Sequence, residues 1–119
     1  MVENRIYNLT LKENHTPEET HDVLLSSFHG ALLGCVKRNV REVLILWNSV
    51  KEIKVVFVLD EQPSQSDLDV INEVTAGVYG DFPYHINIKE ECICDLNKII
   101  KYADDNYKYS ALAFLRHEE

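Results

Sequence analysis

An α+β domain is the fold class this sequence predicts: a mostly antiparallel sheet of four or five strands with two main helices, in the order (β)αββαββ. Two observations predict it. Two stretches carry apolar residues at helical spacing behind clear start signals, and four others are short β-rich runs bounded by turn residues. The length of 119 residues, 45% of them hydrophobic, suits a single domain spanning residues 1–119 with a substantial core.

The first sixteen residues are polar apart from "RIYNLTL", whose imperfect alternation of Ile6, Leu9 and Leu11 suggests a short edge strand or an extended arm. A helix is expected from about 17 to 33. Thr16 is a good N-cap, Pro17 fits the first helical position, and Glu18 and Glu19 favour the positive helix start. Thr16 with Glu19 also makes a capping box. Val23, Leu24, Ser27, Phe28, Ala31 and Leu32 recur at helical spacing, and Gly34 is a natural stop.

"NVREVLILWN" and "EIKVVFVLD" then read as a hairpin joined by "NSVK". The apolar run Val43–Trp47 is unbroken, so this strand is expected to be covered on both faces, by this chain alone or by this chain and a partner. A second helix is expected in "QPSQSDLDVINEVTAGVYGDFP". Ser64 or Ser66 caps it, Asp67 and Asp69 sit in its first turn, and Pro83 ends it. Leu68, Ile71, Val74 or Thr75, Val78 and Phe82 form its apolar stripe. Gly77 and Gly80 each cost helix stability, about 1 kcal/mol against Ala, and suggest that another surface comes close. "YHINIKEEC" alternates as a half-buried strand. "DLNKIIKYADDN" suggests a short helical turn, and "KYSALAFLRH" a final strand pairing as a second hairpin.

Charge narrows the function classes. Twelve Lys and Arg face twenty Asp and Glu, a formal net charge of −8. Such a chain repels phosphate, so direct nucleic-acid binding is not expected. A basic protein partner is, because complementary charge speeds encounter and selects partners. The three cysteines make no disulfide framework, no apolar run reaches membrane-spanning length, and the N-terminus lacks a signal-peptide core. A cytoplasmic location is therefore expected, with no membrane association.

Catalytic and metal patterns are thin. Cys92 and Cys94 form a C-x-C whose thiols share a strand face, but there is no second close pair to complete a zinc site. The histidines at 15, 21, 29, 85 and 117 match no local metal motif, and four glycines make no phosphate loop. The most conspicuous feature is "VLDEQPSQSDLDVINE", with Asp60, Glu61, Asp67, Asp69 and Glu73 and no basic residue; Asp81 lies just beyond. It has neither the alternating oxygen ligands nor the central glycine of a calcium loop. No cofactor or metal is expected. A solvated helix face and an acidic partner-binding surface both fit the run.

The segments in order resemble a family of small bacterial proteins. The pattern is Ala31–Gly34, Asn39–Val43, a strand bearing Trp47, a second strand ending in Phe57–Asp60, a helix start at Pro63–Asp67, a helix ending in Asp81–Pro83, and the closing "ALAFLRHEE". It covers residues 28–83 well and the C-terminus loosely, and it resembles CdiI-type immunity proteins of contact-dependent growth inhibition systems. Glu61, where the related pattern often has Gly, and Gln65, where it has an acid, are departures in a turn. The resemblance implies a protein without catalytic activity that binds the C-terminal toxin domain of a CdiA-type protein, commonly a nuclease, in the cytoplasm. It transfers no binding residue. Charge and expected exposure instead point to Asp60, Glu61, Asp67, Asp69, Glu73 and Asp81, with Tyr79 and Tyr84 as aromatic anchors. A competing surface is Glu90, Glu91, Asp95, Asp104 and Asp105 with Tyr102, Tyr107 and Tyr109. The alternatives are a homo-oligomeric regulatory or structural domain, self-associating through Val43–Trp47, and a small metal-dependent enzyme using Cys92, Cys94 and a histidine or the acids.

Overall fold

The computed structural model describes residues 14–96 and 102–116. The expected strand in "RIYNLTL" and residues 97–101 of the expected helical turn lie outside them. The described elements run α1 (Pro17–Leu32), β1 (Val40–Ser49), β2 (Glu52–Leu59), α2 (Gln65–Gly80), β3 (Asn87–Cys94) and β4 (Tyr109–Leu115).

Both helices begin as their local signals dictate. The Thr16 side chain accepts the Glu19 N–H while Glu19 Oε1 accepts the Thr16 N–H, each at 3.1 Å. Ser64 and Asp67 repeat the arrangement at α2: Asp67 Oδ2 accepts the Ser64 N–H at 2.9 Å, and Ser64 Oγ accepts the Asp67 N–H at 3.3 Å. Each box satisfies two of the amides that a helix start leaves unpaired. After α1, Gly34 takes φ +75, a left-handed conformation that a side chain would strain. α2 stops at Gly80, three residues short of Pro83, with Asp81 as its C-cap.

The sheet order is β3-β2-β1-β4. β1 and β2 form the expected hairpin, with Ile45 opposite Val55, and β4 adds antiparallel to the other side of β1. β3 pairs with β2 in parallel, so the sheet is mixed. The second hairpin does not form, because β3 and β4 lie at opposite edges. The reason is α2: a helix of 16 residues carries the chain back along the sheet, and the next strand then runs the same way as the last.

Both helices pack on one sheet face. Val23, Leu24 and Phe28 of α1 and Ile71, Val74 and Val78 of α2 join Val43, Ile45, Trp47, Val55 and Phe57 in the main core. A Cβ on Gly77 would lie 3.3 Å from the Ala31 Cβ, which is the close approach expected of a helical glycine; Gly80 faces open space. On the other sheet face Leu46, Val56 and Val58 form a small second cluster, covered by Leu44, Ile93, Tyr102 and Tyr107. The unbroken run Val43–Trp47 thus serves two cores, and the chain's own return segment covers part of the outer one. Leu68 departs from its expected place in the stripe, being 43% exposed, while its neighbour Asp67 is buried. No helix among the described residues is long and apolar enough to cross a membrane.

Candidate interaction surface

The acids singled out in the sequence separate into two groups. Asp60, Glu61 and Asp67 gather where β2 hands over to α2. Asp67 is 4% exposed; it caps α2 and accepts from Lys37 Nζ at 2.9 Å and Asn39 Nδ2 at 3.0 Å. Burial works to raise its pKa, but hydrogen bonds from Asn39, Ser64 and Lys37 outweigh that and hold the carboxyl well below the usual range. Asn39 Nδ2 also reaches Glu61 at 3.0 Å, and Arg116 binds Asp60 at 2.8 Å while donating to the Arg38 carbonyl. These three acids tie β1, β2, α2 and the chain beyond β4 together. Asp67 is inaccessible to a partner, and Asp60 already holds a cation.

The second group lies along α2, which is about 24 Å long at 1.5 Å per residue. Asp69 and Glu73 are exposed on its outer side; Asp69 accepts from Gln65 at 2.9 Å, and neither acid has an ion pair among the described residues. Asp81, at the far end, accepts from Ser27 Oγ at 2.6 Å and so links α2 to α1. The Tyr79 hydroxyl takes the Ile88 N–H at 3.0 Å and fastens α2 over the outer edge of β3. Tyr84 is half-buried against Phe82, with Lys51 over its ring. Asp60 and Tyr84 thus stand at opposite ends of the helix, and the eight residues make no single patch. What remains open to a partner is the ridge Asp69–Glu73, bounded by Tyr79 and Asp81.

The competing acids meet on the outer sheet face. Lys54 Nζ lies 2.6 Å from Glu91, 3.0 Å from Asp104 and 2.6 Å from the Tyr102 hydroxyl, which in turn donates to Glu91. Burial disfavours the Lys54 cation, but the bonds from Glu91, Tyr102 and Asp104 prevail and raise its pKa. Glu42 is buried beside Arg41 and Asp95, and its carboxyl is pushed up by that burial. Glu90 accepts from Thr75 and is likewise engaged. Most of these acids hold the structure together.

Other chemistry is sparse. Among the described residues no three His, Cys, Asp or Glu side chains come together to hold a metal. Cys92 packs on the main core, and burial, with the Asp67 charge second, pushes its thiol up to about 11. Cys35, Cys92 and Cys94 are free thiols.

Compared with known families, residues 21–118 match the model of the MafI2 immunity protein. The chain belongs to the MafI2 immunity protein family. A search of the curated proteins found no match. Membership in the MafI2 family gives the protein the role of an immunity protein and implies a cognate toxin as its partner. The resemblance read from the sequence reached this class. The type differs, since Maf is a polymorphic toxin system distinct from contact-dependent inhibition.

In this MafI2 family member the sequence reading missed one surface feature. β4 is an edge strand whose Tyr109, Leu112 and Leu115 are 37, 43 and 64% exposed. The signal was present: "YSALAFL" carries no charge and no proline over its whole length. Only the strand order reveals that one of its sides has no partner among the described residues.

Proposed function

We propose that this MafI2 family member acts in the cytoplasm, where it binds the C-terminal toxin domain of a polymorphic toxin and neutralises it without catalysis. The observation that carries the reading is the family match over residues 21–118. It favours the toxin of a Maf system over the CdiA-type protein that the resemblance suggested. The net charge of −8 supports a basic toxin, and a nuclease with a cationic substrate cleft fits that description. The Asp69–Glu73 ridge supplies exposed carboxylates that no described cation occupies. A standard interface would bury about 800 Å² on each partner.

The test is co-expression with the toxin domain encoded beside the immunity gene. A complex that survives purification, and cells that survive the toxin only when the protein is present, are the expected results. Absence of any complex at micromolar concentration would overturn the reading.

A further inference from the structure

Two edges of the sheet differ in how they are protected. On β3 the strand carries Lys89, Glu90 and Glu91, and the Tyr79 hydroxyl occupies the Ile88 N–H. Charges and cover of this kind are how proteins keep an edge from pairing with another chain. Among the described residues β4 has neither charge nor cover, its one irregularity being the register shift at Ala113 between the Leu44–Leu112 and Val43–Phe114 pairs, and it concentrates three of the exposed large apolar side chains on seven residues.

Two grooves flank β4 on the side of α1. One, of about 530 Å³, is lined by Glu18, His21, Asp22, Trp47, Lys108 and Tyr109, with His21 Nδ1 3.2 Å from Asp22 Oδ1. The other, of about 410 Å³, is apolar, with Leu32, Leu33, Val36, Ala113 and Phe114. Trp47 is buried and its Nε1–H has no acceptor among the described residues. Tyr109 lines the first groove and Ala113 the second. Those residues are four apart on the same strand face, hence about 13 Å from one another. A strand laid along β4 points its own residues i and i+4 into the two grooves and brings backbone carbonyls past them.

We propose that β4 is the docking strand for the toxin, which adds an extended segment to this edge and places a basic side chain between Glu18 and Asp22 and a large apolar one, four residues away, against Leu33 and Phe114. The inference rests on the immunity reading and names the contact by which that binding occurs. A second copy of this chain is the weaker occupant. It would bring another −8 of formal charge to the same edge, whereas a cationic segment is attracted to it. Main-chain pairing then supplies affinity and the two grooves supply specificity.

Amide hydrogen exchange on the full chain, alone and with the toxin domain that co-purifies with it, tests the proposal, alongside Leu112→Lys and Glu18→Lys variants. The expected result is slowed exchange at residues 109–115 only in the complex. Either variant should also bind about tenfold more weakly, Leu112→Lys at an unchanged melting temperature. Leu112 is exposed, so its lysine variant should fold; the exchange measurement on the unaltered chain stands regardless. Toxin binding without new protection at 109–115 would overturn this proposal and leave the immunity reading intact. Protection already present in the free monomer would mean that another part of the chain covers the edge. Protection accompanied by a dimer in light scattering would mean that a second copy does. Either would overturn it. Failure of the toxin to bind at all would remove the immunity reading, and this inference with it.

Discussion

Asp67 and Lys37, thirty residues apart in sequence, meet at 2.9 Å with the carboxylate 4% exposed and the lysine 39% exposed. The pair fastens the start of α2 to the loop before β1. Asp67 also holds the Ser64 N–H, so one side chain caps a helix and anchors a loop.

Replacing Asp67 therefore removes both functions. Asp67→Ala is expected to lower the unfolding free energy by about 2 kcal/mol, a lost cap plus donors left without their acceptor. Chemical denaturation measures this. The carboxyl is held below its ordinary value of 3.8, so its contribution is complete above that pH and is lost as pH falls through the folded value. The difference between wild type and Asp67→Ala should shrink in acid.

Lys54 predicts a second pH effect on the opposite face. The Lys54 hydrogen bond, and after it that of Tyr102, hold Glu91 below its ordinary 4.5. Asp104 is held below 3.8 first by the Asn106 N–H and then by Lys54. Depressed carboxyls stabilise above these values and cease to as pH falls through their folded ones. Lys54→Met should destabilise the fold at neutral pH, because it leaves Glu91 and Asp104 without their shared cation. It should also flatten the loss of stability that the wild type shows as pH falls through the lowered folded values of these two carboxyls. Equal acid slopes in wild type and variant would contradict the cluster's role.

Gly77 and Gly80 should answer differently to substitution. Gly80→Ala enters open space and is expected to gain about 0.5 kcal/mol of helix propensity. Gly77→Val drives a branched side chain into Ala31 and should cost about 2 kcal/mol through overpacking. Melting temperatures of the two variants should move in opposite directions.

On the partner side, Asp69→Lys with Glu73→Lys should slow association with a basic toxin, most clearly at low ionic strength, with stability unchanged. Stopped-flow mixing over a salt series reads this. A rate independent of both salt and the substitutions would remove the α2 ridge from the interface.

What could be read in advance follows from how local each signal is. Thr16 with Glu19 and Ser64 with Asp67 mark their helices within three residues, and the β1–β2 hairpin is local too. The placing of β3 beside β2 and of β4 beside β1 is decided by distant pairing, which no short window contains. The burial of Asp67 and exposure of Leu68 had the same origin. Capping fixes the phase of the first turn, and the partners that make burial tolerable, Lys37 and Asn39, lie some thirty residues upstream. Asp60 looked available until its partner Arg116, beyond the last strand, came into view. Acid content was legible; which acids were already engaged was not.

The strand order has a consequence for when the protein is ready. β4 follows β1 by two strands and a helix, yet it completes β1's pairing. During synthesis the hairpin, α2 and β3 can assemble as they leave the ribosome, but β1 keeps an open side until residues 109–115 emerge. If β4 is also where the toxin is gripped, a nascent chain offers no protection until that strand is made. A pause in translation before that point would leave an exposed β1 in place of an inhibitor.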